Sequence, residues 1–127
     1  MRKENSFDPE LFFAALADKT RLRLLNLMRE GEVCVCFFAE TLGTNNPKIS
    51  RHLAYLRRAG LVTGRRDGKW MHYSIAEPKS EHAREVFEAT MKMLKADREM
   101  ERDRERLVSV CCVPNAPVSI QRREKVS

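Results

Sequence analysis

Residues 45–75 read NNPKISRHLAYLRRAGLVTGRRDGKWMHYSI. The two asparagines and the proline are typical of a helix start, because asparagine caps free backbone N–H groups and proline fits the first turn. The apolar residues that follow lie on one side of such a helix: Ile49, Leu53 and Leu56. Gly60 ends it, and Asp67-Gly68 separates two short strand-like runs, a pattern typical of a tight hairpin turn. The stretch predicts a helix over 46–59 and a hairpin after it.

Three shorter helices are predicted ahead of this stretch. The first covers residues 7–17 behind the start signal Asp8-Pro9, and the second covers 18–31 between an aspartate cap and a glycine stop. The third covers 33–42 and is helical in the period of its apolar residues. The predicted order is therefore four helices followed by a hairpin.

This order predicts a helix-turn-helix with a wing. A helix over 35–43, a short connection and the helix over 46–59 would form the motif, whose second helix can lie in a DNA major groove. The hairpin directly after it would be the wing. The predicted fold class is mainly α with a β-hairpin wing, in one domain over residues 1–110.

One long helix is predicted from about residue 80 to residue 110. Within it, residues 97–106 contain nine charged residues and one methionine, so we expect an exposed stretch that packing does not hold strongly. Pro114 and Pro117 end any helix, and residues 111–127 read as a flexible tail that contains cysteines.

The net charge of +6 is concentrated in residues 45–75. This window holds seven basic residues and one acid, whereas the rest of the chain holds 17 of each sign. A basic window inside a neutral remainder indicates a partner rich in phosphate, because phosphate neutralisation supplies most of the non-specific affinity for nucleic acid. The charge distribution and the predicted helix-turn-helix with its wing both point to residues 45–75, which favours double-stranded DNA as the partner.

The side chains that we expect to reach DNA lie on the second helix of the motif and at the hairpin tip: Lys48, Ser50, Arg51, His52, Tyr55, Arg65, Arg66 and Lys69. Arg57 and Arg58 fit a solvated helix end, favoured by the helix dipole, as well as they fit a DNA contact.

Several function classes are disfavoured. We find neither a Ser/His/Asp or paired-carboxylate arrangement nor a glycine-rich phosphate loop, so no enzymatic activity and no small-molecule substrate are expected. The longest apolar stretch, residues 33–39, is far shorter than the roughly 20 residues of a membrane helix. The N-terminus leads into no secretory hydrophobic region, which predicts a cytoplasmic protein.

Several stretches together resemble one family, the ArsR/SmtB winged-helix metalloregulatory repressors. They are residues 15–18 (ALAD), 20–25 (TRLRLL), 31–36 (GEVCVC), 47–53 (PKISRHL), 60–62 (GLV), 65–70 (RRDGKW) and Tyr73. The resemblance implies a homodimer that binds operator DNA near its own gene without metal and releases the DNA when metal binds.

The cysteines stand in two pairs, Cys34/Cys36 and Cys111/Cys112. In a chain without an export signal, such pairs indicate metal binding or redox chemistry rather than a disulfide framework. Thiolates are soft donors that select soft ions. Residues two apart in a regular helix diverge by about 200°. For both sulfurs to hold one ion, the first turn must open or Cys34 must lie before the helix.

The resemblance places the first pair where the arsenite and cadmium/lead branches of the family carry Cys-Val-Cys. Phe37 follows where relatives often have an acid, Ala39 stands where some have a third thiol, and residues 1–10 contain no cysteine. His82 is the only histidine of the long helix, which disfavours the family's zinc site. The resemblance therefore implies As(III), with Sb(III) as a second candidate, as the inducer of an arsenite-responsive repressor.

A third sulfur would have to come from Cys111 or Cys112. A continuous helix over 80–110 would be roughly 45 Å long and would carry Cys111 away from Cys34. The chain would need to bend in its charged stretch or reach across a dimer. Otherwise the second pair is an independent thiol site or an inert tail.

Three alternatives stay open at this point. A winged-helix redox sensor would use the same cysteines and release DNA on oxidation. A repressor of the same fold could respond to Cd(II) or Pb(II) instead. A small thiol metal carrier or oxidoreductase would need no operator and would function without residues 45–75, which the basic helix-turn-helix makes the weakest of the three.

Overall fold

A computed structural model describes residues 7–111 of the chain. Six helices and three strands follow one another in this part: α1 (Pro9–Leu16), α2 (Lys19–Leu27), β1 (Val33–Cys34), α3 (Cys36–Leu42), α4 (Asn46–Arg58), β2 (Val62–Asp67), β3 (Trp70–Ile75), α5 (Glu81–Lys95) and α6 (Arg98–Cys111). The strands form one antiparallel sheet in the order β1-β3-β2. No helix in residues 7–111 is both long and apolar enough to span a membrane.

Three predicted helix starts, those of α1, α2 and α4, are confirmed by their caps. The carboxylates of Asp8 and Asp18 accept hydrogen bonds from the backbone N–H groups of Leu11 and Arg21, at 3.0 and 3.1 Å. Asn45 caps α4 in the same way, because its side-chain oxygen accepts from the Lys48 N–H at 2.9 Å. Each cap satisfies a donor that the first helical turn leaves without an intrahelical partner.

Helix α4 packs through the face that its sequence predicts. Ile49, Leu53 and Leu56 are buried in one hydrophobic cluster with residues of α2 and α3. At about 1.5–3 kcal/mol for each fully buried aliphatic side chain, this stripe is what fixes α4 to the domain. The opposite face of α4 is left toward solvent.

The hairpin forms, but its two-residue turn lies one position later than Asp67-Gly68. Asp67 pairs with Trp70, so the turn consists of Gly68 and Lys69. Gly68 has φ +64°, and a glycine in the first turn position is what a type II′ hairpin takes. Lys69 therefore lies in the turn itself.

The helix predicted over 33–42 is wrong at its first residues. Val33 and Cys34 form strand β1, which pairs with β3 through Val33 opposite Tyr73 and Cys34 opposite His72. The partners are about 40 residues away in the chain, so a local apolar period could not indicate the pairing. The helix itself, α3, begins only at Cys36.

The single long helix predicted over 80–110 is also wrong, because the chain breaks after Lys95. The side chain of Asp97 accepts a hydrogen bond from the Met100 N–H at 3.1 Å, which begins a new helix at Arg98. Helix α6 therefore does not continue along the axis of α5, and it packs on α2 and α3. It runs through Cys111, one residue beyond the predicted domain boundary, while the rest of the predicted tail lies outside the described residues.

The charged stretch of α6 is held by packing, contrary to expectation. Three of its apolar side chains are buried: Met100, Leu107 and Cys111. Asp103 is also buried, and its carboxylate accepts two hydrogen bonds from Arg23 of α2, at 2.8 and 2.9 Å. The buried side chain of Asn26 donates to the backbone oxygen of Met100 at 2.9 Å. Some charged side chains of α6 thus bond to α2, while others face solvent.

We predict that Asp103→Ala lowers the free energy of unfolding by about 2 kcal/mol, because it removes two charge-assisted hydrogen bonds and leaves Arg23 without its partner. Urea unfolding followed by circular dichroism measures the difference. Glu105→Ala, at an exposed position of the same helix, is the matched control and should stay within about 0.5 kcal/mol of the parent. Equal losses in the two variants would contradict a specific role for the Arg23–Asp103 pair.

Candidate metal centre and nucleic-acid interface

The first cysteine pair lies at the junction between β1 and α3. Cys34 ends the strand, Val35 makes the turn, and Cys36 is the first residue of the helix. The two Sγ atoms are 3.2 Å apart. Cys34 thus lies before the helix, which is one of the two arrangements that allow both sulfurs to hold one ion. The Val35 N–H donates to the Met71 oxygen at 2.8 Å and extends the β1–β3 pairing through the turn.

The two thiols differ in their surroundings. Cys34 is fully buried, whereas Cys36 is partly exposed. Burial, the hydrogen bond with Cys34 and the electrostatic effect of Cys34 and Glu40 raise the pKa of Cys36 to about 12. Cys36 is therefore a neutral thiol at pH 7, and a cation that takes its sulfur as a ligand must displace the proton.

The structure does not complete a metal site around this pair. Within residues 7–111, no three His, Cys, Asp or Glu side chains are grouped so that they could hold a metal ion. Cys111 lies in the same hydrophobic cluster as Cys34, and its thiol donates to the Val108 oxygen at 3.3 Å. Cys112 lies outside the described residues. The structure therefore brings Cys34 and Cys36 together and leaves Cys111 apart from them as a ligand.

The side chains predicted to reach DNA fall into two groups. Six of them are exposed on α4 and the hairpin: Lys48, Ser50, Arg51, Arg65, Arg66 and Lys69. His52 and Tyr55 are only partly exposed, because both face the start of α2. The exposed group forms a basic surface over the second helix of the motif and the wing.

His52 has protein partners of its own. Its Nδ1 lies 3.2 Å from an Arg21 guanidinium nitrogen and 3.8 Å from the Asp18 carboxylate. Burial lowers the pKa of His52, and the nearby positive charges, Arg21 first, lower it further against the effect of Asp18. Because arginine only donates, the neutral ring accepts at Nδ1 and keeps its proton on Nε2. Nε2 is thus the atom of His52 with a proton to offer a DNA acceptor.

Arg21 is a structural residue of this interface that the sequence did not single out. Its guanidinium donates to the backbone oxygens of Ala14 and Ala15 at the end of α1, both at 2.9 Å. The same group lies 4.1 Å from the centre of the Tyr55 ring, and Arg58 lies 4.9 Å from it. Its partners are six to 34 positions away, so no local motif could indicate them.

Arg65 and Lys69 of the wing make contacts within the protein that the sequence did not predict. Glu32, just before β1, accepts two hydrogen bonds from Arg65 of β2, at 2.8 and 2.7 Å. Lys69 at the tip lies 5.5 Å from the centre of the Trp70 ring. Arg65 is therefore bound within the protein, whereas Arg66 and Lys69 form no salt bridge within residues 7–111.

A helix-turn-helix whose second helix is basic and exposed, followed directly by a hairpin, is a winged helix-turn-helix domain of the DNA-binding type. The sequence profile of bacterial regulatory proteins of the arsR family matches residues 18–63. The arsenic resistance transcriptional regulator ArsR2 of Pseudomonas putida is 38% identical over 84 residues, which cover 65% of this chain and 73% of that protein. The chain belongs to the arsR family of bacterial regulatory proteins.

Two further similarities extend the comparison. The arsenical resistance operon repressor of Escherichia coli K12 is 49% identical over 69 residues, or 54% of this chain and 59% of that protein. The chain thus spans little more than half the length of the curated relatives that it matches at about 50% identity. The homodimeric winged helix-turn-helix domain Mb0332 from Mycobacterium bovis, solved by NMR, has a TM-score of 0.57 at 30% identity, covering 71% of this chain and 81% of that one.

We predict that Cys36 of the folded, reduced protein reacts with iodoacetamide at pH 8 about a hundredfold more slowly than in urea. The reason is that the thiolate is the reactive species and that the folded protein raises the pKa of Cys36 to about 12. Quenched alkylation with fragment-resolved mass spectrometry separates Cys36 from Cys34. Rates within a few-fold of each other in the folded and unfolded chain would contradict the raised pKa.

Proposed function

We propose that this protein is a transcriptional repressor that binds operator DNA as a homodimer and is released when As(III) binds through Cys34 and Cys36. Sb(III), which shares the preference for thiolates, is the second inducer of the same site. The observation that carries the proposal is the 3.2 Å separation of the two Sγ atoms at the base of the helix-turn-helix. As a DNA-binding regulator, the protein would act in the cytoplasm.

The nature of the relatives supports the choice of inducer. The matched Escherichia coli protein is named an arsenical resistance operon repressor, and the Pseudomonas putida protein an arsenic resistance regulator. The donor set agrees with this, because within residues 7–111 no carboxylate or imidazole joins the two sulfurs in a group that could hold a metal, and sulfur ligands suit a soft, thiophilic ion. A third sulfur from Cys111 or Cys112 belongs to the proposal as a separate question, which the tail variant below addresses.

Binding of As(III) to thiols balances without free protons. For each As–S bond formed, one hydroxide of As(OH)₃ leaves arsenic and takes the thiol proton, so that one water is released. The neutral thiol of Cys36 is therefore a suitable reactant at pH 7. A divalent cation, in contrast, must expel the proton of Cys36 into solution.

The position of the cysteines suggests how binding weakens DNA affinity. Cys36 is the first residue of α3, and α3 packs against α4, whose exposed face carries the residues that we expect to bind DNA. As(III) is pyramidal, with a lone pair in the fourth position, so its bonds to two sulfurs have a fixed angle. Binding replaces the contact between the two thiols at 3.2 Å by two bonds to one arsenic, and the junction between β1 and α3 must adjust to that angle. Operator and inducer then oppose each other through one coupling free energy.

A second copy of the chain would cover the apolar surface of α1 and α5. Three large apolar side chains are exposed there: Phe13, Val86 and Met93, at 55%, 39% and 62%. Val86 and Met93 are seven residues apart and therefore share one face of α5. The homodimeric state of the Mycobacterium bovis neighbour supports this assignment.

A redox sensor is the second candidate, and the short Sγ–Sγ distance favours it. A peroxide would oxidise the two thiols to a disulfide and be reduced to water and an alcohol or a second water. The raised pKa of Cys36 weighs against this function, because a fast reaction with peroxide needs a thiolate.

We predict that arsenite releases the wild-type protein from its upstream DNA, weakening affinity about tenfold or more, as typical coupling energies give. Cys34→Ser and Cys36→Ser should bind the DNA normally and resist arsenite. Fluorescence anisotropy of labelled DNA with the reduced protein at fixed salt measures both affinities.

The double variant Cys111→Ser/Cys112→Ser is the matched control for loss of thiols in general. If it needs about tenfold more arsenite than the parent, the third sulfur comes from the C-terminal pair; an unchanged response assigns the site to Cys34 and Cys36 alone. Arsenite-dependent release of Cys34→Ser would contradict the proposal. Release by peroxide alone, reversed by dithiothreitol, would support the redox sensor instead.

We predict that pH separates As(III) from divalent ions. Between pH 6.5 and 7.5 the arsenite concentration for half-release should change less than about twofold, because no net proton is exchanged. Over the same rise in pH the Cd(II) concentration for half-release should fall about tenfold or more, because Cys36, with its pKa of about 12, releases its proton to solution when Cd(II) binds. DNA affinity without an ion is measured at each pH to correct for His52. Equal pH dependences for the two ions would contradict this chemistry.

A further inference from the structure

An ion pair joins the cysteine strand to the wing. Glu32 and Arg65 are 33 positions apart, yet Nε and Nη2 of Arg65 each donate to a different carboxylate oxygen of Glu32, at 2.8 and 2.7 Å. The hydrogen bond with Glu32 raises the pKa of Arg65. Exposed ion pairs contribute little unless their geometry is bidentate, and this pair has the bidentate form.

The order of the strands shows which parts of the sheet the Glu32–Arg65 pair connects. The strand order is β1-β3-β2, so β1 and β2 are not neighbours. Glu32 lies next to β1, and Arg65 lies in β2. Cys34 and Arg65 are both register partners of His72 in the central strand and therefore lie in one row across the sheet. The Glu32–Arg65 pair thus bridges the two outer strands two residues away from a proposed inducer ligand.

Strand β1 is short, so this bridge adds to a backbone attachment of only a few hydrogen bonds. Its backbone pairing with β3 covers two residues and is extended by the N–H of Val35, which donates to Met71. A displacement of Cys34 therefore moves Glu32 with it, because both belong to the same extended segment. The bidentate bond carries that displacement to the wing.

The charge of Arg65 is already compensated, which argues against a role in binding phosphate. Glu32 holds its guanidinium, and the carboxylate of Asp67 lies 3.9 Å away. Arg66, the next residue, is exposed and has no carboxylate within 4.0 Å among the described residues. Two adjacent arginines of one strand thus have different surroundings, although the sequence analysis predicted the same DNA contact for both.

We propose that Arg65 is a positioning residue that couples the Cys34 strand to the wing through Glu32, whereas Arg66 is the wing arginine that contacts DNA phosphate. The coupling rests on the proposed function, because it transmits the shift of Cys34 when the inducer binds. Arg65, which the sequence predicts as a DNA contact, is in this proposal a link between two parts of the protein. The expected size is that of other residues on coupling routes, which change coupling by about 2- to 30-fold.

The experiment compares Glu32→Gln, Arg65→Gln, the charge-swapped double variant Glu32→Arg/Arg65→Glu, and Arg66→Gln as the matched control. Two quantities are measured on labelled upstream DNA: the salt dependence of affinity without inducer, and the factor by which arsenite weakens affinity. Amide hydrogen exchange over residues 33–35 of the free protein is the third measurement.

The single variants at 32 and 65 should keep the salt dependence of the parent, lose about threefold or more of the arsenite factor, and exchange the amides of residues 33–35 about threefold faster. The swapped variant should restore the arsenite factor and the slow exchange, because the ion pair forms again in reverse. Arg66→Gln should lower the slope of log affinity against log salt by about 0.9, one phosphate contact, with the arsenite factor unchanged.

Two results overturn the inference. A reduced salt slope in Arg65→Gln that the swapped variant does not restore makes Arg65 a DNA contact. Unchanged amide exchange in both single variants shows that the pair does not hold β1. If the wild type binds DNA and arsenite fails to release it, the proposed function is wrong, while the exchange measurement still decides whether the pair holds the strand.

Discussion

The short pairing between β1 and β3 is the interaction on which the functional arrangement depends. It consists of two residue pairs and the hydrogen bond from Val35 to Met71. Because this pairing holds Cys34 in extended backbone, its sulfur reaches Cys36 across a single intervening residue. In a continuous helix the same two side chains would diverge. The pairing also attaches the thiols to the wing, so one short ladder of backbone hydrogen bonds connects the proposed inducer site with part of the proposed DNA-binding surface.

Helix α6 supports this arrangement from the other side. It packs on α2 and α3, the two helices that flank the cysteine segment, and it lies outside the residues that match the arsR profile. The buried Arg23–Asp103 pair fixes its position, and the bond from Arg106 to the Thr41 oxygen links it to α3 at 3.4 Å. A movement of α3 thus meets resistance from α6. Any inducer that shifts α3 must supply free energy against these contacts.

The basic residues of the chain divide by their partners rather than by their type. Arg21 and Arg23 bind backbone oxygens and a buried carboxylate, and they hold helices together. Arg51 and Arg66 are exposed, on α4 and on the wing. A cation that is paired inside the protein adds little to the field that DNA meets, because its carboxylate partner cancels it at a distance. The effective DNA-binding charge is therefore smaller than a count of Lys and Arg indicates.

Local rules were enough for much of the chain. Caps, glycine stops and the apolar period of α4 predicted α1, α2, α4 and the hairpin, and the basic window 45–75 predicted where exposed basic side chains lie, because these features depend on neighbours within four residues. The tertiary structure alone decided the strand at Cys34, the break at Asp97 and the bond between Glu32 and Arg65. In the strand and the ion pair, the partners lie more than 30 positions apart. At the break, Asp97 caps a helix whose buried face packs mainly on α2 and α3. The sequence by itself thus determined which elements form and where the charge lies, whereas long-range pairing and burial decided which of those residues meet.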